Sequence, residues 1–469
     1  MLRDRINTDT RYVRYKTLVG FKSVLPPQWE DRNFDDHEGY RRKEYLEYIA
    51  AISMENSDEW YDLIIRCAET GSNEVEVLAS LIFCDFLCEL AREKPDIVLA
   101  WRKSNNKHLL DFLLPVLNGL FNSSAIAEYK SLIASYLEKG EYLLAIARHF
   151  QVLESPPVEQ AKMLLDKALA NDDRPVISES IALAIKKHAS SSGWIEEIFL
   201  PALQHLISAK DCRWIGQNGY IKGIETFVAQ LSPDQISVVL EGILAAPEIE
   251  YEAEHFLALI ATRDLKAVLD FFHQRLANKQ EIKDYQAIPY SFDWLKKPFS
   301  ENIDLIIDTI RKWDSPSDQF FRFTYGRLLR AALPTFTEEG STKFMGIAET
   351  GLDQDINFIL SAMPIYCGNP LIFPVLMAVV NRLSPEDARL KKVEDCILPS
   401  GMITGRIDYA YADAYRAKKK ELQKHYPNDP RPRVKDFVEK CLQQLDRHIA
   451  SEQRSADQQS AQRRLGLDE

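Results

Sequence analysis

Helix starts recur along this chain, and hardly a glycine stands between them. Ser232 precedes Pro233, and Gln235 follows three residues after Ser232. That is a capping box with proline at the first helical position. Ile236, Val239, Leu240 and Ile243 then fall on one helical face. Ser300 is followed by Ile303, Ile306, Ile307 and Ile310, and Thr262 by Leu265, Val268, Leu269 and Phe272. After Asp173 come Ile177, Ile181, Ala184 and Ile185, and the stretch closes on Lys186-Lys187-His188, where the helix dipole favours positive charge. Ser384-Pro385 and Asp429-Pro430 open two further helices. Single gaps between these starts run at about 30–45 residues, close to the period of a two-helix repeat. Ala68-Glu69-Thr70-Gly71 and Ala348-Glu349-Thr350-Gly351 both read as a helix stopping on glycine.

Glycine numbers 18 in 469 residues. Sheet-rich folds and phosphate loops draw on glycine for tight turns and close backbone approach, so they fit this chain poorly. The expected fold is all-α, an α-solenoid of HEAT/armadillo-like helix pairs. Each pair buries its apolar face on its neighbours. Five segments are expected. Residues 1–48 form a basic and aromatic arm, with Arg11, Tyr12, Arg14 and Tyr15 interleaved. Residues 49–280 form helical repeats, and 281–299 a connecting loop punctuated by aromatics and prolines. That loop holds Tyr285, Tyr290, Phe292 and Trp294. Residues 300–450 resume the repeats and end in a HEAT-like helix carrying Val434, Phe437, Val438, Cys441, Leu445 and Ile449 on one stripe. Residues 451–469 form a polar tail with no apolar stripe to bury.

The formal net charge is −12, and the acid excess lies in the body of the chain. A general phosphate-binding surface needs a basic excess, so nucleic acid is an unlikely partner on charge alone. One local exception is Arg322, Arg327 and Arg330. On a continuous helix they sweep an arc of about 140° and would suit an anion. The acids Glu248, Glu250, Glu252 and Glu254 cluster between two helices and read as a solvated surface that a basic partner could use. The seven cysteines are odd in number and scattered, mostly inside apolar helical stretches. They read as core thiols in a reducing, cytoplasmic compartment. Cys84 and Cys88 share a helix face without two further ligands nearby, so no metal site is expected. The N-terminus has no signal-like apolar region, and the longest apolar run, Leu371 to Val380, is too short to span a bilayer.

Catalytic motifs are absent. No phosphate loop, GxGxxG, HExxH or GxSxG occurs, and Gly340-Ser341-Thr342-Lys343 has the wrong order for a phosphate loop. The nine histidines are dispersed and read as surface or helix-end residues. No catalytic residue and no cofactor are assigned.

Two stretches carry a resemblance. Asp429-Pro430-Arg431-Pro432-Arg433-Val434-Lys435-Asp436-Phe437 resembles the second helix of a HEAT repeat. The region from Tyr415-Arg416 through Phe437 to Glu452-Gln453-Arg454 resembles helical C-terminal regions of large bacterial STAND- or NACHT-type defence proteins. The segments Tyr12-Val13-Arg14-Tyr15-Lys16 and Gly20-Phe21-Lys22-Ser23-Val24 are similar to a segment of such proteins. The resemblance implies a recognition scaffold in antiphage defence, with effector chemistry on a companion chain. The expected function is therefore a non-catalytic scaffold or sensor binding a protein partner, either a companion effector or a phage protein. A nucleic-acid-binding HEAT-like solenoid and a hydrolase with a site dispersed in sequence are the alternatives.

Overall fold

The structure is a computed structural model. It describes residues 8–19, 35–73, 77–219, 221–278, 284–313, 321–397, 409–426 and 429–464. At 35–38, 40, 71–73, 77–80, 284–285, 425 and 464 it describes the backbone alone. Among the described residues every regular element is a helix, so the protein is all-α. The chain divides into two compact units, Met1–Gly242 and Ile243–Glu469.

In the first unit, helices pack on others two or three places further along the chain. Leu113–Phe121 lies against both Val77–Glu93 and Leu143–Val152. Leu143–Val152 packs in turn on Arg174–Lys187, which also meets Trp194–Phe199 and Leu200–Ser208. Arg174–Lys187 buries Val176, Ile177, Ile181, Ala182, Leu183, Ala184 and Ile185, which fall all round its axis. A helix apolar all round has neighbours on every side. Gly119 sets the first of these contacts. A Cβ there would stand 2.1 Å from the Cys88 carbonyl oxygen and 2.7 Å from the Ala91 Cβ, so the two backbones meet where no side chain fits.

The N-terminal arm contributes helix Thr10–Val19 to this unit. Asp9 caps it, accepting from the Arg11 and Tyr12 amides. The buried Arg41 side chain donates to the Thr17 carbonyl from both Nε and Nη2, at 2.9 and 2.6 Å. The arm residues 20–34 lie outside the described residues.

Buried histidine is a departure from the sequence expectation. His149 is fully buried, and His188 and His255 are nearly so. His149 Nδ1 lies 2.7 Å from Asn118 Oδ1, and its Nε2 lies 2.6 Å from the Tyr129 hydroxyl. Asn118 Oδ1 accepts, so Nδ1 carries the proton and Nε2 accepts from Tyr129. Burial pulls its pKa down to about 4.

One local device recurs in both units. At Asp211-Cys212-Arg213, Asp387-Ala388-Arg389 and Asp429-Pro430-Arg431, the aspartate accepts from both the backbone amide and the guanidinium two residues on. Asp172 and Arg174 pair side chain to side chain in the same way. Each hook stands at the entrance to a helix. In the first unit Arg174 Nη1 also reaches Asp211 of the next hook, at 3.9 Å.

Helix entrances differ in detail from expectation. Ser232 and Gln235 do form a reciprocal capping box, at 3.3 and 2.8 Å. Asp173 caps Arg174–Lys187. Leu265–Ala277 is capped by Asp264, while Thr262 closes the preceding helix. Ser300 ends a short helix, Lys296–Ser300, and the next begins at Ile303. Leu390–Ile397 begins beyond Ser384-Pro385. Ser57–Asn73 runs through Gly71, whereas Gly351 does end Glu338–Glu349, at φ +70°.

In the second unit, the last helix runs unbroken from Pro432 to Arg464. It packs on Ala410–His425 and Ile372–Arg382, burying Val434, Phe437, Val438, Cys441 and Leu445. The expected polar tail does find partners as far as Asp457. Ala456 is buried, the Tyr409 hydroxyl donates to Asp457 at 2.9 Å, and Arg416 donates to Gln453 at 2.5 Å. Residues 465–469 lie outside the described residues.

Substitutions at Gly119 and His149 in the first unit, and at Gly346 in the second, test this packing. Gly119→Ala is expected to lower stability by about 2 kcal/mol through overpacking. Gly346→Ala, at a mid-helix site with nothing within 4 Å, should raise it by up to about 1 kcal/mol. Thermal unfolding of both variants checks the contrast. His149 makes stability depend on pH. Its folded pKa lies below the unfolded value near 6.5, so the unfolded chain binds the proton first. The stability is fully present above about pH 6.5 and is lost as pH falls toward 4, by about 3 kcal/mol. His149→Gln should flatten that slope in denaturant titrations across the window.

Candidate partner-binding surface

The aromatic loop belongs to the second unit, and three charged side chains hold it. Glu254 lies in the first turn of Tyr251–Ala261 and is 4% exposed. Its Oε1 accepts from three consecutive amides, Asp293 at 2.7 Å, Trp294 at 2.6 Å and Leu295 at 2.9 Å. These amides lead into the helix Lys296–Ser300, whose own N-cap residue makes no side-chain capping bond. Glu254 thus caps a helix from 40 residues away. Burial pushes its carboxyl above the usual range, while the three amides pull it back.

Arg275, on Leu265–Ala277, is fully buried. Its guanidinium donates to the carbonyls of Ala287 at 3.0 Å, Leu244 at 3.1 Å and Ala246 at 2.7 Å. Burying a guanidinium is costly unless its donors are answered, and main-chain oxygens answer them here. Arg327, on Tyr325–Ala332, donates to the Ile288 carbonyl at 2.5 Å, and its guanidinium stands 5.7 Å over the Tyr290 ring. Carbonyls 287 and 288 and amides 293–295 are therefore fixed, and the loop tip between them is presented on a held frame.

The aromatics divide between core and surface. Phe292 is buried between Phe272 and Phe299, with ring centroids 5.8 and 5.5 Å away, so it is core rather than a contact residue. Tyr290 is 82% exposed. Trp294 is 36% exposed and lies against His255 at 4.4 Å and Tyr251 at 5.5 Å. The side chain of Tyr285 lies outside the described residues. Tyr251, 47% exposed, joins this face, although sequence reasoning did not single it out. The acids beside it do not behave alike. Glu254 is the internal cap just described, whereas Glu248 and Glu250 are exposed and Glu252 half-buried. Glu248 accepts from Gln286 at 2.5 Å. The surface thus combines aromatic ring faces with carboxylates.

The other sequence candidates are dispersed. Arg14 stacks over Trp60 at 4.4 Å and pairs with Glu59 at 3.6 Å, and the Tyr15 hydroxyl bonds Thr70 at 2.8 Å. Both residues dock the arm on its own unit. Arg11 and Tyr12 remain exposed, with Lys16 over the Tyr12 ring at 5.4 Å. Arg322 precedes the helix that carries Arg327 and Arg330, so the three do not form one helical arc. Arg327 is turned to the loop, while Arg322 and Arg330 are exposed.

Among the described residues, no group of three or more His, Cys, Asp or Glu side chains is arranged to hold a metal ion. No described helix is long and apolar enough to cross a membrane. A cavity of about 400 Å³ lies beside helices Ile303–Ile310 and Glu338–Glu349. Its charged lining is Glu301, Asp304, Glu339 and Lys343, with Lys343 bonded to Asp304 at 2.6 Å. No known family, curated protein or solved structure matches the chain.

Glu254→Ala is expected to remove the acceptor of three amides and to destabilise the second unit by about 2 kcal/mol. Hydrogen exchange at 293–295 should quicken well before global unfolding. Unchanged protection at these amides would show that the carboxylate does not hold the loop.

Proposed function

We propose that this chain is a non-catalytic helical-repeat scaffold that binds a protein partner. The bound segment carries lysine or arginine and docks on the face formed by Tyr251, Tyr290 and Trp294. The observation that carries this reading is a largely exposed tyrosine on a loop whose main chain is locked by Glu254, Arg275 and Arg327. A loop held this firmly loses little conformational entropy on binding. Tyrosine and tryptophan are the residues that anchor protein interfaces, and their ring faces attract cations. The neighbouring carboxylates and the net charge of −12 favour a basic segment.

Repeat architecture of the HEAT type is part of the proposal. Several helices of the first unit, such as Leu113–Phe121 with Leu143–Val152 and Leu143–Val152 with Arg174–Lys187, pack on the next but one, as stacked pairs do. The hooks at Asp172 and Asp211, and at Asp387 and Asp429, recur at about the spacing of such repeats. The likeness of segments 12–24 and 415–454 to bacterial defence proteins points to a companion effector or a phage protein as the partner, met in the cytoplasm. The dispersal of Arg322, Arg327 and Arg330 leaves the nucleic-acid alternative without the arc that motivated it.

A photo-crosslinking residue placed at position 290 tests this reading, with position 352 as an exposed control. The expected result is an adduct from 290 to a basic segment of one protein, in host cells with or without phage challenge. Tyr251→Ala with Trp294→Ala should weaken it about tenfold or more. Equal adducts from 290 and 352, or adducts indifferent to the double substitution, overturn the proposal.

A further inference from the structure

The hairpin of Ala410–His425 and Pro432–Arg464 is opposite in charge to the rest of the chain. Residues 410–464 hold 13 lysines and arginines against 8 aspartates and glutamates, a net +5 in a chain of −12. Packing sorts these charges. Asp446 and Asp457 of the long helix are engaged at the seam, where Asp446 pairs with Lys419 and Asp457 accepts from the Tyr409 hydroxyl. Lys440, Arg447 and Arg454 recur every seven residues on the side away from the buried Val438, Cys441 and Leu445, and all three are exposed. Among the described residues, Lys440 and Arg447 pair with no carboxylate, and Arg454 donates to the Ala450 carbonyl of its own helix at 3.1 Å. From Lys440 onward this face adds Gln443, Gln444, Ser451 and Gln458, with small alanines and no carboxylate. The nearest carboxylate on it is Asp436, one turn before Lys440.

This composition selects the partner. A protein interface is anchored by buried aromatic and aliphatic side chains, and this face has none to offer. A helix that lies in a membrane surface needs an apolar side as well. Exposed ion pairs with another protein contribute little by themselves. A phosphate backbone needs no apolar contact. Its binding is driven by release of condensed counterions, and its donors include arginine, lysine, glutamine and serine side chains. Seven residues of helix advance about 10.5 Å, near the ~12 Å width of the major groove of duplex DNA. Adjacent cations of this row therefore match phosphates on the two banks of one groove.

We infer that the Lys440–Arg447–Arg454 face of the last helix is a docking surface for the phosphate backbone of duplex DNA, held without regard to base sequence. The negative charge of the chain lies outside this hairpin and repels a polyanion in bulk, so the contact is local and strongly salt-dependent. It is separate from the arginines at 322, 327 and 330 and independent of partner binding at the aromatic face.

The test is fluorescence anisotropy of the full chain with a short labelled DNA duplex of mixed sequence. With three phosphate contacts, binding should weaken about fortyfold between 50 and 200 mM salt. Lys440→Gln with Arg447→Gln and Arg454→Gln should lower the affinity at 50 mM salt by about tenfold or more and flatten the salt dependence. Lys107→Gln with Lys130→Gln and Lys139→Gln removes the same charge from exposed sites of the first unit and should leave both unchanged. All six side chains are exposed, so thermal unfolding should be the same in both variants and the parent. The inference is overturned if the duplex does not bind at 50 mM salt, if the two triple variants lose affinity equally, or if the first binds like the parent. It is equally overturned if polyglutamate, anionic lipid vesicles or a single strand of the same length compete better than the unlabelled duplex.

Discussion

Arg275 is fully buried, and its guanidinium is answered by main-chain carbonyls from two separate turns. A buried cation has no cheaper arrangement than convergent oxygens, so the turn after Leu244 and the loop entry at 287 must both stay where they are. Glu254 imposes the mirror condition, with one buried oxygen facing three amides. The two helices bearing these charges are neighbours in sequence and pack together. Loop, aromatic face and the entrance to Lys296–Ser300 are thereby tied to one helical hairpin. Loss of either charge would leave buried polar main chain with no answer, a heavier penalty than loss of an apolar contact of similar area.

The same physics works at smaller scale in the aspartate–arginine hooks. Helix N-termini leave amides unsatisfied, and each of these hooks sets an aspartate at that end. An arginine two residues on neutralises the aspartate and folds back over it, which holds the Asp387 and Asp429 carboxyls below the usual range. A chain low in glycine cannot rely on left-handed turns at every connection. It uses charged side chains to fix the backbone between helices instead.

Much of the fold was legible in the sequence because it depends on local rules. The capping box at Ser232–Gln235, the Asp173 cap and the stripe from Val434 to Leu445 all appear where periodicity places them. Expectation failed where tertiary contact overrides local preference. Gly71 does not stop its helix. Glu254 reads as one of four solvated acids because nothing local distinguishes it from Glu250 or Glu252. Its partners are 39 to 41 residues away. Of the loop aromatics, Tyr290 and Trp294 stand at the surface, while Phe292 turned inward and the exposed Tyr251 was missed. The hook spacing was the one overlooked signal, since Asp-x-Arg can be found by inspection.

The arginines at 322, 327 and 330 show why helical projection alone misleads. Projection assumes that a helix is continuous and that equal charges do equal things. Here Phe323 and Thr324 precede the helix, so Arg322 leaves the cylinder that carries the other two. Arg327 turns inward to a carbonyl and an aromatic ring of the loop, and burial works against its charge. Arg322 and Arg330 stay exposed. Of the three, Arg327 is the one that supports the aromatic loop. The sequence pattern correctly located a concentration of positive charge. What it could not contain was the partners of Arg327, because those are a carbonyl oxygen and a ring face contributed by another segment of the chain.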